Sequence, residues 1–510
     1  MSTSDALASS GVLEPDEPAD RRAWSGLWVL ATALGMIVLD GTIVAVALPA
    51  MIAGLHLSLT DAQWVTSLYS VIFAALLLTA GRLGDRWGRR RLLVIGLALF
   101  VVGSILGGLA GSSGALLLAR AVQGVGGAAV LPATLSTVNA TFRGRDRAAA
   151  FGIWGAVMAG AAALGPLLGG MLTEWGSWRL VFWVNVPVGL VVIALALRLV
   201  DENRGLSHTG IDLPGPVLSA VGFGLVVFGL IEGSTLGWWT PKAAVTGLGW
   251  PADAPVSPVP VALVLGLAAL VAFAVVESRR QVAGRATILD LRLFRLPTFV
   301  FGNATALLVA VGEFALLFVL PLYLVTSLQA TSLVSGLVLA SMALGAFASG
   351  AAARHLAAAI GPTRVVVVGL ALEVLGAGAT ALVMGHWSSP WAVAATLLPY
   401  GLGLGLASAQ LTSTVLRDVP PEESGTGSAT QSTVRQLGAA LGGALGGAVL
   451  AGTMGSQTLG GPGRAGPFGS AAATAVWAAV GVLGVALLSS VVVDRVSRDG
   501  IPTPPDPATR

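Results

Sequence analysis

The sequence predicts an all-α membrane protein, two six-helix bundles plus two inserted transmembrane helices, fourteen spans in all. Three observations point there. The chain of 510 residues is 55% hydrophobic and only 10% charged, and its mean hydropathy of +0.85 means more apolar side chain than a water-facing surface can cover. Apolar runs recur along the whole length, each of the roughly eighteen residues or more that cross about 30 Å of hydrocarbon as a helix. Stretches from the first part of the chain return in the last part.

The elements follow in order. The first 20 residues carry Ser, Asp, Glu and Pro but no Lys or Arg, so they lack the basic start of a signal peptide, and residues 1–24 are expected to be a disordered cytoplasmic tail. Spans 1 to 6, near 26–50, 64–80, 92–110, 115–138, 149–172 and 178–198, make an N-terminal bundle within residues 25–200. Spans 7 and 8, near 213–232 and 259–276, belong to an inserted pair with linkers over residues 201–298. Spans 9 to 14, near 299–325, 332–353, 365–384, 390–415, 426–452 and 470–493, make a C-terminal bundle within 299–495, and residues 496–510 form a second cytoplasmic tail.

Repetition justifies this division. Span 4 reads GVGGAAVLPATLSTV from Gly124 to Val138 and span 12 reads GLGLGLASAQLTSTV from Gly401 to Val415, with glycine and Thr-Val at the same separation. Asp40 stands nine residues before Pro49 in span 1, and Glu313 eight before Pro321 in span 9. These matches align spans 1–6 with 9–14. Two similar bundles rocking about a midplane site is the geometry of alternating access.

Charge fixes the orientation. With the spans alternating, 23 of the 28 Lys and Arg residues fall on one side, only Arg179, Lys242 and Arg464 on the other, and Arg120 and Arg435 inside spans. The positive-inside rule then puts both termini in the cytoplasm. It also accounts for the pI of 9.9 without a nucleic-acid partner.

The densest charge is GRLGDRWGRRR, Gly81 to Arg91, between spans 2 and 3. A topology anchor would explain the arginines, but not glycines at fixed places or an aspartate among them. Gly81, Gly84 and Gly88 permit a tight turn and close helix approach, and Asp85 can pair with an arginine or cap a helix N-terminus. The stretch resembles the loop signature of the major facilitator superfamily at Gly81, Leu83, Asp85, Arg86, Gly88, Arg89 and Arg90. A reduced counterpart, Gly350, Arg354, Gly361 and Arg364, lies between spans 10 and 11 without the aspartate.

Further stretches resemble the fourteen-span drug:proton antiporter branch of that superfamily. They are LDGTIVAVALP from Leu39, with Ala45 where an asparagine is usual; RAVQGVGG from Arg120; GPLLGG from Gly165; and SWRLVFWVNVPVG from Ser177. The resemblance covers roughly residues 25–495. It implies the major facilitator fold, a membrane-embedded arginine in span 4 and an antiporter motif in span 5 at Gly165, Pro166, Gly169 and Gly170.

Charges at bilayer depth carry the chemistry, because each costs about 2.5 to 3.5 kcal/mol on insertion scales unless paired, neutralised or wet. Asp40 and Glu313 lie at similar depth in equivalent spans, which favours a shared central site. Each is read as a proton or cation binder, the alternative being a structural polar contact. Arg120 is within reach of Asp40 if spans 1 and 4 are neighbours, as in the resembling fold, and the pair would keep Asp40 ionised until release lets it take a proton. Arg435, near Gln431 and Gln436, is the corresponding cation of the second half, and a static helix tie is the alternative for both arginines. Glu373 maps by repeat to span 3, peripheral in the resembling fold, and is not expected in the site; Glu232, at the end of span 7, reads as interfacial. Small residues four apart in span 5, and again at Gly438, Gly442 and Gly446, let helices approach closely. Sealing of the inner halves is one expected use. Trp64, Phe73, Phe151, Trp154, Phe314, Phe318, Tyr323 and Tyr400 could stack on flat or cationic substrates, or serve in packing.

Other classes are disfavoured. Zero cysteines exclude disulfides, thiolate metal sites and cysteine nucleophiles, and His56, His208, His355 and His386 lack ligand spacing, so no metal is expected. No phosphate-cradling loop with lysine argues for ATP hydrolysis, so the chain is not expected to be an enzyme, and no cofactor beyond a proton gradient is implied. The reading is a monomeric multi-pass protein of a bacterial cytoplasmic membrane, whose partners are the lipid bilayer, protons and a small hydrophobic or cationic substrate. It exports drugs or antibiotics by proton antiport. A transporter of a specific metabolite or amino acid, exporter or symporter, is the second reading; a non-transporting membrane receptor or structural protein is the third.

Overall fold

A computed structural model describes residues 20–204, 214–242, 250–285, 287, 289–386, 389–420, 423–454 and 465–498. It is all-helical in architecture, and its described residues include fourteen helices long and apolar enough to cross a membrane. They are α1 Arg21–Leu55, α2 Leu59–Trp87, α3 Arg89–Gly108, α4 Ser113–Thr141, α5 Gly144–Trp175, α6 Leu180–Leu199, α7 Pro214–Leu236, α8 Pro258–Val282, α9 Pro297–Thr326, α10 Ser332–Ile360, α11 Pro362–His386, α12 Pro390–Val415, α13 Ser424–Met454 and α14 Ala465–Arg498.

Helix ends follow local chemistry. Asp20 caps α1 by accepting from the Ala23 N–H at 2.7 Å, and Arg22 pairs with Asp201 at 3.0 Å. Residues 21–24, expected in the disordered tail, therefore belong to α1, and residues 1–19 lie outside the described residues. At the other end α14 runs to Arg498, three residues into the expected second tail. Ser58 and Asp61 form a reciprocal capping box at the start of α2. Helix α6 breaks at Val184, where Pro187 offers no N–H to the carbonyl one turn back. His208 lies outside the described residues.

Both bundles use one packing plan. In the first, α1 packs on α5 and α6, and α4 on α2 and α3; in the second, α9 packs on α13 and α14, and α12 on α10 and α11. The bundles meet through α5 with α10 and α2 with α13, two contacts that exchange under the same pseudo-symmetry. The inserted pair packs α7 on α8, and α7 also lies against both α2 and α13, beside the seam.

The cores distinguish the two ends of the molecule. At the end away from the arginine-rich loop, one buried cluster runs from Ile43, Met51, Val65 and Phe182 to Phe318, Leu339, Tyr400 and Phe468, joining both bundles. At the arginine end each bundle keeps its own: Leu27, Phe73, Leu97 and Phe142 in the first, Phe299, Val366 and Leu411 in the second.

Candidate functional site

Asp40 sits on α1, fifteen residues, or about 22 Å, from the helix's far end, and Glu313 on α9 about 20 Å from its own. The equal depth expected from the repeat is present. Asp40 is 0% and Arg120 2% exposed, and Arg120 Nη1 donates to Asp40 Oδ2 at 2.6 Å. Three further side chains complete the site. Gln123 Nε2 donates to Asp40 Oδ1 at 3.1 Å, Asn185 Nδ2 to the same oxygen at 2.9 Å, and Ser104 Oγ accepts from Gln123 at 3.0 Å. Arg120 also donates to the Val65 carbonyl at 3.1 Å and to Gln123 Oε1 at 2.8 Å, and it lies 4.4 Å from the centroid of the Tyr69 ring. A buried ion pair holds only when its remaining lone pairs and protons are satisfied; here α1, α2, α3, α4 and α6 supply the partners. Ala45 is buried, and the amides around Asp40 come from Gln123 and Asn185.

The second half is built differently. Arg435 Nη2 lies 3.7 Å from Glu313 Oε2, the two side chains 37% and 14% exposed. That contact is an ion pair without a hydrogen bond to Glu313 Oε2. Glu373, expected to be peripheral, is 0% exposed and within electrostatic reach of both Glu313 and Arg435. Its neighbour Gly403 is glycine because a Cβ there would run into the Gly369 carbonyl and sit 2.6 Å from the Glu373 backbone nitrogen. Span 3 is no more peripheral than span 11: its Ser104 joins the Asp40 network.

The arginine-rich loop forms a second cluster. Asp85 pairs with Arg89 at 2.9 Å, and Arg89 Nη1 donates to the Ser136 carbonyl of α4 at 3.0 Å, tying α2, α3 and α4 together. Glu202, just past α6, accepts from the Arg90 backbone N–H at 3.1 Å and lies 3.6 Å from Arg91 Nε. The helix-capping role open to Asp85 is thus taken, for α3, by Glu202. Gly88 has φ +116°, and a Cβ there would run into the Glu202 carboxylate. Gly84 is tight against Leu92 at 3.0 Å, but Gly81 makes only ordinary contact with Pro132 at 3.6 Å, so its expected close approach is absent. Arg86 is exposed and stands outside the cluster. In the second half Gly361 repeats the turn with φ +90°.

The span 5 motif packs closely at the end away from the arginine-rich loop. A Cβ at Gly165 would run into Thr42 of α1, and one at Gly169 would sit 2.8 Å from the Ile43 carbonyl. On the next face, a Cβ at Gly170 would be 2.7 Å from the Ser332 carbonyl of α10, and the Pro166 carbonyl is packed on Gly336. Gln63 and Ser67 of α2 donate to the Ala444 and Ala440 carbonyls of α13 at 3.0 and 3.1 Å, closing the symmetric seam. The reason lies in chain direction: α5 starts among the arginines, so residues 165–170 fall in its far half.

The aromatic candidates are mostly packing groups. Phe73, Phe318, Tyr323 and Tyr400 are buried, and the Trp64 indole N–H is donated to Glu232 at 2.8 Å, which makes Glu232 a tie between α7 and α2. Phe151 and Trp154 pack edge to face at 6.2 Å.

The model of the Major Facilitator Superfamily matches residues 30–443. Puromycin resistance protein pur8 of Streptomyces alboniger is 35% identical over 439 residues, 83% of this chain and 80% of its own. Cephamycin export protein CmcT of Amycolatopsis lactamdurans is 34% identical over 479 residues, 92% of both chains. Multidrug efflux pump LfrA of Mycolicibacterium smegmatis is 33% identical over 421 residues, 82% of this chain and 79% of its own. Among solved structures, an inward-facing, unoccupied bacterial homologue of the human lysosomal transporter Spinster matches with a TM-score of 0.65 at 17% identity, covering 96% of this chain and 100% of that one.

Proposed function

This chain belongs to the Major Facilitator Superfamily, and from that premise we propose that it is a proton-coupled antiporter exporting hydrophobic or cationic antibiotics. It acts in a bacterial cytoplasmic membrane, with both termini in the cytoplasm and no enzymatic step. Cephamycin export and multidrug efflux are the named roles of two relatives that match across most of their length. The arginine count supports the orientation, and the antiporter reading rests on one observation above all: a carboxylate at mid-membrane depth held by an arginine on a different helix, 2.6 Å away.

The mechanism follows from the two ends. Far-end glycine seams and separate arginine-end cores favour a cytoplasm-facing state, in which substrate enters from inside. Arg120 and the amides of Gln123 and Asn185 occupy both carboxylate oxygens of Asp40. Movement of α4 against α1, or a cationic group competing for the carboxylate, frees Asp40 to take a proton, so proton and substrate exclude one another.

The test uses the purified protein in liposomes with a pH-sensitive dye inside. A proton gradient imposed across the membrane should drive uptake of a fluorescent lipophilic cation, and the cation alone should move protons the other way. Cation movement with no proton counterflow would overturn the coupling; proton counterflow driven instead by amino acids would favour the metabolite reading.

A further inference from the structure

The two bundles place one arginine against unequal numbers of acids. Arg120 faces Asp40 alone, and amide donors complete that carboxylate. Arg435 lies 3.7 Å from Glu313, and Glu373, 0% exposed, is within electrostatic reach of both. Both Glu373 oxygens lack a hydrogen-bond partner among the described residues, and so does the hydroxyl of Tyr400. If both acids were ionised, one negative charge would stand uncompensated inside the bundle, which burial strongly disfavours. Two like charges at one site share a proton instead.

We propose that Glu313 and Glu373 hold one proton between them as a resident ligand of the C-terminal bundle, with Glu373 the neutral member and Arg435 paired to ionised Glu313. The set is then electrically balanced. When Arg435 turns from Glu313 to Glu373, the O–H bond of Glu373 breaks and one forms on Glu313. Glu313, the more exposed of the two, passes the proton to water. One negative charge remains for a cationic substrate to neutralise. Use of this proton in transport rests on the proposed antiport; its residence on the pair does not.

The experiment is infrared difference spectroscopy of the full-length protein at neutral pH, following the carbonyl stretch of protonated carboxyl groups and its shift in D2O. The wild type should show such a band. Glu373→Gln, isosteric with the neutral acid, should lose it completely, Glu373→Asp should move it, and Asp40→Asn should leave it in place. A wild type without the band, or a band unchanged in Glu373→Gln, overturns the pair; if that variant does not fold, an unmoved band in Glu373→Asp does so. Should the band behave as expected while substrate moves no protons across liposomes, the pair stands and the antiport reading falls. Should protons move normally in the wild type and in Glu373→Gln with no band in either, the pair falls alone.

Discussion

Asp40→Asn keeps the shape of the side chain and its ability to accept from Gln123 and Asn185, but it strips the charge that Arg120 was buried against. Removing one member of a buried pair costs about 3 to 5 kcal/mol, because the survivor is an uncompensated charge. The expected outcome is therefore double: no substrate-driven proton movement in liposomes, and a lower unfolding temperature in detergent. Asp40→Asn combined with Arg120→Gln should recover most of the stability and none of the coupling, which separates the chemical role from the structural one. Stability unmoved by the single change would mean that the pair is not buried as described. The pair was legible in the sequence because a lone charge at that depth is costly, so two opposite charges within reach of each other in apolar spans are expected to meet. Gln123, Asn185 and Ser104 were not, although Gln123 and Asn185 stand inside recognised motifs, since a lone amide in a span signals nothing until its partner helix is known. Glu373 was hidden for a related reason: a repeat assigns a position in the fold, and not which way the side chain points.

Among the elements, the turn between α2 and α3 has a measurable counterpart between α10 and α11. Gly88 and Gly361 both sit at positive φ, +116° and +90°, where an alanine is strained by about 1 to 3 kcal/mol. The surroundings differ. A Cβ at Gly361 meets nothing within 4 Å, whereas one at Gly88 collides with the Glu202 carboxylate and would push it off the α3 N-terminus, a cap of the kind worth about 0.5 to 2 kcal/mol. Gly88→Ala should thus destabilise the protein more than Gly361→Ala in thermal unfolding, and Glu202→Gln should account for part of the difference. Equal losses would remove Glu202 from the turn. The fourteen helices themselves were readable from apolar length, and both special glycines were readable from the repeated loop. The slack around Gly81 was not, because a motif does not say which of its glycines answers to backbone conformation and which merely lies along a helix.

At the scale of the whole molecule, the shared far-end core and the divided arginine-end cores would be one state of the proposed alternating cycle, and helix α5 offers a way to watch it. Gly152 lies eighteen residues, five full turns, before Gly170, so the two occupy the same face of the helix. At Gly170 that face is pressed on α10; at Gly152 a Cβ would meet nothing within 4 Å, and the position is exposed. Closure of the arginine end by rocking would bring this stretch of α5 toward the second bundle and open the seam at Gly170 and Gly336. The direction of closure could not be read from the sequence, since small residues four apart say that helices touch without saying at which stage of a cycle. The chain has no cysteine, so a single Gly152→Cys carries no labelling background and fits without strain. In membrane vesicles it should react quickly with a membrane-impermeant maleimide applied from the side of the arginine-rich loop. Gly170→Val, which wedges the far seam apart, should slow that reaction severalfold by shifting the population to the other state. Equal labelling with and without the wedge would show that the two ends open independently, and alternation between them could not then be the transport mechanism.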